Sequence, residues 1–290
     1  MNKLLVLALG STLGVAAVLA AVSHGAPWQY LVSGDPLSAG AAACAGFALA
    51  SFVLAWATGD YSQVDRLWSL TPVVYAWFFA ARAWPDPRVL LMALLATLWG
   101  ARLTFNFARK GGYTREEDYR WAILRARIRN PVLWQLFNLG FIAGYQHLQV
   151  FLIAVPAAIA ARHAGTPLGW PDALAAAAFL ALLGLETVAD EQMWRFQEEK
   201  KRRVAEGAPL DGDFARGFLG SGAYRYSRHP NYFAEISMWW AFYAFVPALA
   251  GTWLHWSIAG AVSLTALFQG SLRFGEGISA AKYPAYREYR

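Results

Sequence analysis

One stretch carries most of the chemistry in this sequence: Tyr224-Arg225-Tyr226-Ser227-Arg228-His229-Pro230-Asn231-Tyr232-Phe233-Ala234-Glu235. It stands where a basic segment enters a very apolar one. Pro230 suits the first position of a helix, where its missing N–H costs nothing. Arg228 and His229 then lie beside the positive end of that helix, next to free backbone N–H groups, which makes an anion site. Asn231 and Glu235 are four apart and share a face. A carboxylate at that depth in an apolar segment is costly without a partner or a function. Tyr224 and Tyr232 belong to the same stretch and count as candidate contacts. The plainer reading is a helix start with interfacial Arg and aromatic anchors.

Two further polar stripes accompany it. Arg102, Asn106 and Arg109 recur at helical spacing, and so do Glu186, Asp190, Met193 and Gln197. Such charges inside apolar segments face a bundle interior and mark a pathway or a site. The alternative is a set of structural ion pairs, Arg102 with Glu186 or Asp190, which give little net stability. The three stripes are expected to converge on one side of a membrane. Basic groups and a helix N-terminus suit phosphates. Carboxylates and an asparagine suit ribose hydroxyls or an adenine amine. The aromatic, apolar surroundings suit a hydrophobic second substrate. A soluble polar cofactor meeting a lipid-soluble substrate is the physical expectation, and a dinucleotide and S-adenosylmethionine both satisfy it.

No soluble-enzyme motif competes. There is no GxGxxG after a strand and no Walker sequence. Gly217-Phe218-Leu219-Gly220-Ser221-Gly222 reads as a glycine-rich turn rather than a phosphate cradle. His147, with Gln146 and Gln149, has no second ligand at metal spacing and reads as a structural histidine. Lys200-Lys201-Arg202-Arg203 reads as a solvated charge run.

The elements that must position these residues are membrane helices. Of the 290 residues, 57% are hydrophobic and only 15% charged, with 14 Trp and 13 Tyr. Long continuous apolar runs at this composition indicate an all-α, polytopic helix bundle rather than an alternating barrel. Eight spans are expected, within residues 4–22, 37–57, 67–84, 89–107, 131–160, 171–194, 231–250 and 253–272. The first, in 1–23, is an extra span or a cleaved signal; Gly10 and Gly14 favour a retained packing helix. Residues 116–129 suggest an interfacial amphipathic helix, and 197–221 a polar loop. Residues 1–290 form a single membrane domain without internal repeats. Cys44, the one cysteine, excludes an intrachain disulfide. The net charge of +6 reflects topology, not nucleic-acid binding. With eight spans, Arg82, Arg88 and Arg162 fall on one side, Arg102 lies within a span, and every other Lys and Arg falls on the opposite side. Both ends are therefore expected in the cytoplasm.

Five blocks together resemble the steroid 5-alpha-reductase-like membrane proteins, and most of all a bacterial branch labelled a domain of unknown function. They are Asp65-Arg66-Leu67-Trp68-Ser69, Trp99-Gly100-Ala101-Arg102-Leu103, Glu117-Asp118-Tyr119-Arg120, Glu186-Thr187-Val188-Ala189-Asp190-Glu191-Gln192, and Arg225 to Glu235. The likeness covers about 55–290. It implies an NADPH-dependent reductase of a carbon–carbon double bond conjugated to a carbonyl, in a multi-pass protein of a bacterial inner membrane with its site facing the cytoplasm. The implied partners are a hydrophobic small molecule and membrane lipids. Implied cofactor contacts are Arg102, Asp118, Glu186, Asp190, Tyr224, Arg228, His229, Asn231, Tyr232, Glu235 and Glu276. The resemblance also implies a few further residues past Tyr286-Arg287-Glu288-Tyr289, where this chain stops at Arg290.

The chain departs from the steroid reductases at the proton donor. Trp99 stands where those enzymes have a tyrosine, and an indole N–H donates a hydrogen bond but cannot protonate a carbonyl. Asp65 is the candidate acid, with Tyr61 or Tyr119 as candidate phenols; Asp65 is equally able to pair with Arg66 or Arg102. Two other classes remain. One is an S-adenosylmethionine-dependent methyltransferase of lipid or prenyl-cysteine type, which shares Arg-His-Pro-x-Tyr but calls for paired Glu residues where only Glu276 stands. The other is a non-catalytic transporter or lipid-binding protein, for which inverted repeats or broken helices are wanting.

Overall fold

The computed structural model describes residues 34–114 and 117–290. Every regular element among them is a helix. The first expected span, 4–22, lies outside the described residues. Among the described residues, five helices are long and apolar enough to cross a membrane: Pro36–Thr58, Pro87–Arg109, Pro131–Arg162, Trp170–Glu206 and Pro230–Ala250. The chain divides into two compact units, with the boundary between Pro167 and Leu168.

In the first unit, α1 (Pro36–Thr58) starts on Asp35, whose carboxylate accepts from the Ser38 N–H, and ends at Gly59 in the left-handed region. A polar link holds the short α2 (Gln63–Leu67), and α3 (Thr71–Arg82) follows. This third apolar run is helical over only 12 residues, roughly 18 Å at 1.5 Å per residue, less than the hydrocarbon thickness. The Pro85-Asp86-Pro87 turn is present. Asp86 caps α4 (Pro87–Arg109) through the Arg88 and Val89 N–H groups and also accepts from the Gly165 N–H at 2.9 Å. Arg88 donates to the carbonyls of Thr166 and Pro167.

The expected amphipathic helix is α5 (Tyr119–Ile128), capped by Asp118. Asn130 caps α6 (Pro131–Phe137), which runs into a π-helical segment, Asn138–Tyr145, and then α7 (Gln146–Arg162). Gly144 is required in the π turn, because a Cβ there would stand 2.5 Å from the Leu139 carbonyl oxygen. α7 is buried almost throughout; α1, α3 and α4 pack around it.

The second unit is built on α8 (Trp170–Glu206). Its 37 residues span roughly 55 Å, far more than a bilayer core needs, so its polar end projects beyond the apolar part. The sequence suggested a loop from 197; the helix instead continues to Glu206. Ion pairs at helical spacing explain this: Arg195–Glu191, Lys201–Glu198, Arg202–Glu199, Arg202–Glu206 and Arg203–Glu199 support the exposed turns. Then come α9 (Gly212–Arg216), a 3-10 turn at Gly222–Arg225, α10 (Pro230–Tyr243), α11 (Pro247–Ala250), a second 3-10 turn at Trp256–Ile258, α12 (Ala259–Lys282) and α13 (Tyr286–Tyr289). α10 packs along α8 and against α12. Its core is aromatic: Phe179 meets Trp239 and Phe242 edge-on or tilted, and Phe242 meets Phe245. Phe179, Trp239, Phe242 and Phe245 are almost fully buried.

Candidate functional site

Pro230 opens α10, as its position in the sequence requires, with His229 as the N-cap residue. The chain reaches this point through a turn held from α8. The Gln192 carbonyl oxygen accepts the Ala223 N–H at 2.9 Å, and Lys200 donates to the Gly217 carbonyl at 2.8 Å and the Tyr283 hydroxyl at 3.1 Å. Gly217 has φ +87°, and a Cβ there would sit 2.3 Å from the Tyr283 ring. Only glycine meets both demands.

Glu276, on α12, gathers the cations at the α10 start. Its Oε1 accepts from Arg228 Nε at 2.8 Å and faces His229 Nε2 at 3.1 Å; Arg290 Nε lies 3.7 Å from Oε2. Arg228 also donates to the Arg290 carbonyl, and the Tyr289 hydroxyl donates to the Tyr224 carbonyl. Burial pushes the His229 pKa down, while the Glu276 carboxylate opposes this. Burial pushes the Tyr224 phenol up, and the nearby Asp190 carboxylate adds to it. The Tyr232 ring lies 5.5 Å from His229 and 4.9 Å from Phe268.

One turn deeper, Asn231 Nδ2 donates to Asp190 Oδ1 at 3.2 Å. Glu186, Asp190 and Glu235 are all buried; Glu235 accepts from Trp239 Nε1 at 3.1 Å. The second unit thus brings together two of the three sequence stripes. Separately, a cleft of about 770 Å³ opens between the polar end of α8 and the glycine-rich turn, and Glu186, Asp190, Asn231, Glu235 and Glu276 are not among its lining residues. Gln192, Phe196, Asp213, Phe214, Ser221 and Gly222 are among its lining residues. That volume falls within the range of small-molecule sites. Phe196 and Phe214 are stacked at 5.2 Å. The sequence named Gln192 only within a resemblance block and read Lys200 as part of a solvated charge run; Lys200 is instead part-buried, holding the Gly217 carbonyl and the Tyr283 hydroxyl. The glycines these two residues support, Gly217 and Gly222, were the signal available.

The remaining candidates belong to the first unit. Arg102 is half-buried on α4, where Arg109 Nε donates to Asn106 Oδ1 at 3.0 Å. Asp65 accepts from Trp121 Nε1 at 2.9 Å and lies 3.5 Å from Arg120, while Arg66 pairs with Asp60 at 2.7 Å. Burial raises the Asp65 pKa against the pull of Arg120 and Trp121. Asp118 caps α5 and binds Arg120 at 2.9 Å. Tyr61 is buried, and its hydroxyl accepts from Gln135 Nε2 at 2.8 Å. Tyr119 is mostly exposed. Asp65, Tyr61 and Asp118 therefore fasten the 60–66 link to α5 and α6. Among the described residues no group of His, Cys, Asp and Glu is arranged to hold a metal ion.

An all-helical architecture with five helices, among the described residues, long and apolar enough to cross a membrane defines a helical membrane protein. The chain belongs to the family described as "Protein of unknown function (DUF1295)", which it matches over residues 51–290. It is also similar to an uncharacterized protein of Schizosaccharomyces pombe, 38% identical over 246 residues, covering 80% of this chain and 71% of the relative. No solved structure matches it.

Proposed function

We propose that the chain is a membrane-embedded, NADPH-dependent reductase of a lipid-soluble enone, of the steroid 5-alpha-reductase-like kind. The observation that carries this reading is the cluster at the start of α10. Arg228 and His229 converge on Glu276, within a turn of the Asn231–Asp190 pair. The donor set fits the cofactor. Arg228 and the α10 N–H groups suit phosphate oxygens, and Asp190, Glu186 and Asn231 suit ribose hydroxyls and an amide. Bound there, NADPH supplies a hydride.

The chain's own residues then have separate tasks. Asn231 and Asp190 hold each other in register, so that a polar ligand meets preorganised groups. Glu276 keeps Arg228 and His229 pointed at the helix start. The apolar, aromatic core of the second unit keeps water from the deeper end. Polarising the substrate carbonyl oxygen by proton donation falls to a carboxylic acid or phenol. Asp65 fits by its raised pKa, with Tyr61 and Tyr119 as the phenols. In this reading the chain crosses the membrane eight times, with both ends and the site on the cytoplasmic side, in accord with the placement of Lys and Arg.

Thermal stabilisation of the purified protein by NADPH, NADH, S-adenosylmethionine and S-adenosylhomocysteine tests the reading, since a ligand of the native state raises apparent stability. The reductase reading expects a shift with NADPH and none with the sulfur compounds. The reverse pattern makes the protein a methyltransferase. Absence of any shift favours a transporter or lipid-binding role.

A further inference from the structure

The first unit carries polar groups that the cofactor reading leaves unused. Trp134 and Asn138 are four apart on the helix running from Pro131, and both are buried, at 4% and 0% exposure. Residues at this spacing are neighbours on one face. Among the described residues, neither Trp134 Nε1 nor Asn138 Oδ1 meets a hydrogen-bond partner. Asn138 Nδ2 donates to Gln135 Oε1 at 3.4 Å, and Gln135 Nε2 donates to the Tyr61 hydroxyl at 2.8 Å. The oxygen of Asn138 is the atom left open. A buried donor and a buried acceptor, four residues apart and both unused, are costly to a fold.

What lies around them is apolar and aromatic. Tyr61 meets Trp134 edge-on at 4.9 Å. Phe137, Phe141 and Tyr145 form a stacked row, with ring centroids 5.1 and 5.5 Å apart, half-buried along the same helix. Leu133, Leu136 and Leu139 beside it are exposed, as lipid-facing residues are. The backbone turns π-helical at Asn138 itself, a departure that often marks functional positions. Gly140 leaves open space next to the row.

We infer that this face binds a hydrophobic alcohol or phenol. Its hydroxyl is received between Trp134 and Asn138, and its apolar body lies along Phe137, Phe141 and Tyr145. A hydroxyl both donates and accepts: its proton goes to Asn138 Oδ1, and its oxygen takes the Trp134 N–H. An ether or a ketone satisfies only the tryptophan. Trp134 and Asn138 stand near the start of a helix long and apolar enough to cross a membrane. The inference does not depend on the reductase reading.

A matched pair of probes tests it: 4-octylphenol and its methyl ether, which lacks the hydroxyl proton. Thermal stabilisation is measured on the full chain and on the variants Asn138→Leu and Trp134→Phe. The site requires the phenol to stabilise the native protein at concentrations at least tenfold below the ether. Both variants should lose that discrimination. Trp134→Phe keeps an aromatic ring at the position and so reports even if Asn138→Leu, which also removes the bond to Gln135, fails to fold. Equal shifts by phenol and ether, no shift by the phenol, or full discrimination in Trp134→Phe would each overturn the inference. NADPH in parallel separates the two readings: its shift should persist in both variants.

Discussion

At the scale of single residues, the Asn231–Asp190 pair and the Glu276 cluster decide the proposed chemistry. Replacing Asp190 or Asn231 by alanine removes one of two partners that hold each other at 3.2 Å. For a reductase, we expect NADPH affinity to fall about tenfold or more, about 1.4 kcal/mol or above, with the protein still folded and inserted. Titration of the stability shift against NADPH concentration reads this directly, and unchanged affinity in both variants counts against the reductase. Asp65 makes a different prediction. Its folded-state pKa is raised by burial, so the folded state holds the proton more tightly than the unfolded chain does. Stability from this group is complete below the ordinary aspartate value and is lost as the pH rises through the folded value. Asp65→Asn retains an acceptor for Trp121 and cannot ionise. Its stability relative to the native protein should therefore be smallest in acid and greatest near neutrality, by denaturation at a series of pH values. A lower stability near neutrality would mean that the Arg120 ion pair outweighs the burial cost. If Asp65 also donates the proton, turnover is lost while NADPH still binds.

At the scale of elements, the long helix α8 and the glycine-rich turn work as one device. The polar end of α8 supplies Gln192 and Lys200, which hold the chain as it comes back to start α10. Gly217→Ala would force a side chain into the left-handed region and onto the Tyr283 ring. A cost of about 1–3 kcal/mol is expected. It should appear as a lower midpoint of thermal unfolding together with weaker NADPH stabilisation, because the turn feeds the start of α10. An unchanged midpoint would show that Tyr283 swings aside freely. The sequence predicted the start of α10 from Pro230 alone, and the structure agrees. It did not predict that α8 continues to Glu206. Charge density there suggested a loop, but the alternation of Glu and Arg at three and four residues neutralises that charge along the helix.

At the scale of the whole molecule, the distribution of charge supports one orientation. With Cys44→Ala as background, single cysteines replacing Asp211 and His163 should react with an impermeant thiol reagent from opposite faces of the membrane, Asp211 from the cytoplasm. Reaction of both from one face would break the eight-span arrangement. Among the described residues five helices are able to cross a membrane; the helix in the expected eighth span, Ala259–Lys282, is not one of them. The expected third span is helical for only 12 residues, since the Leu67–Leu70 turn and the Trp84–Pro85 turn trim it at both ends.

The sequence by itself determined the all-helical class, the placement of five of the expected apolar helices and the start of α10. It also determined that Glu186 with Asp190, and Asn231 with Glu235, share helix faces. These follow from local rules: hydrophobic run length, the missing N–H of proline and the 3.6-residue period. Only the tertiary structure decided which stripes meet. It put Asp190 against Asn231 and Glu276 against Arg228 and His229. It also drew Asp65 to Arg120 and Trp121 rather than to Arg66, which turned instead to Asp60. A carboxylate's partner depends on which helices pack together, and that is set by the summed burial of side chains far apart in the chain. The open hydrogen-bonding atoms of Trp134 and Asn138 were likewise invisible in the sequence, where each reads as an ordinary residue of an apolar helix.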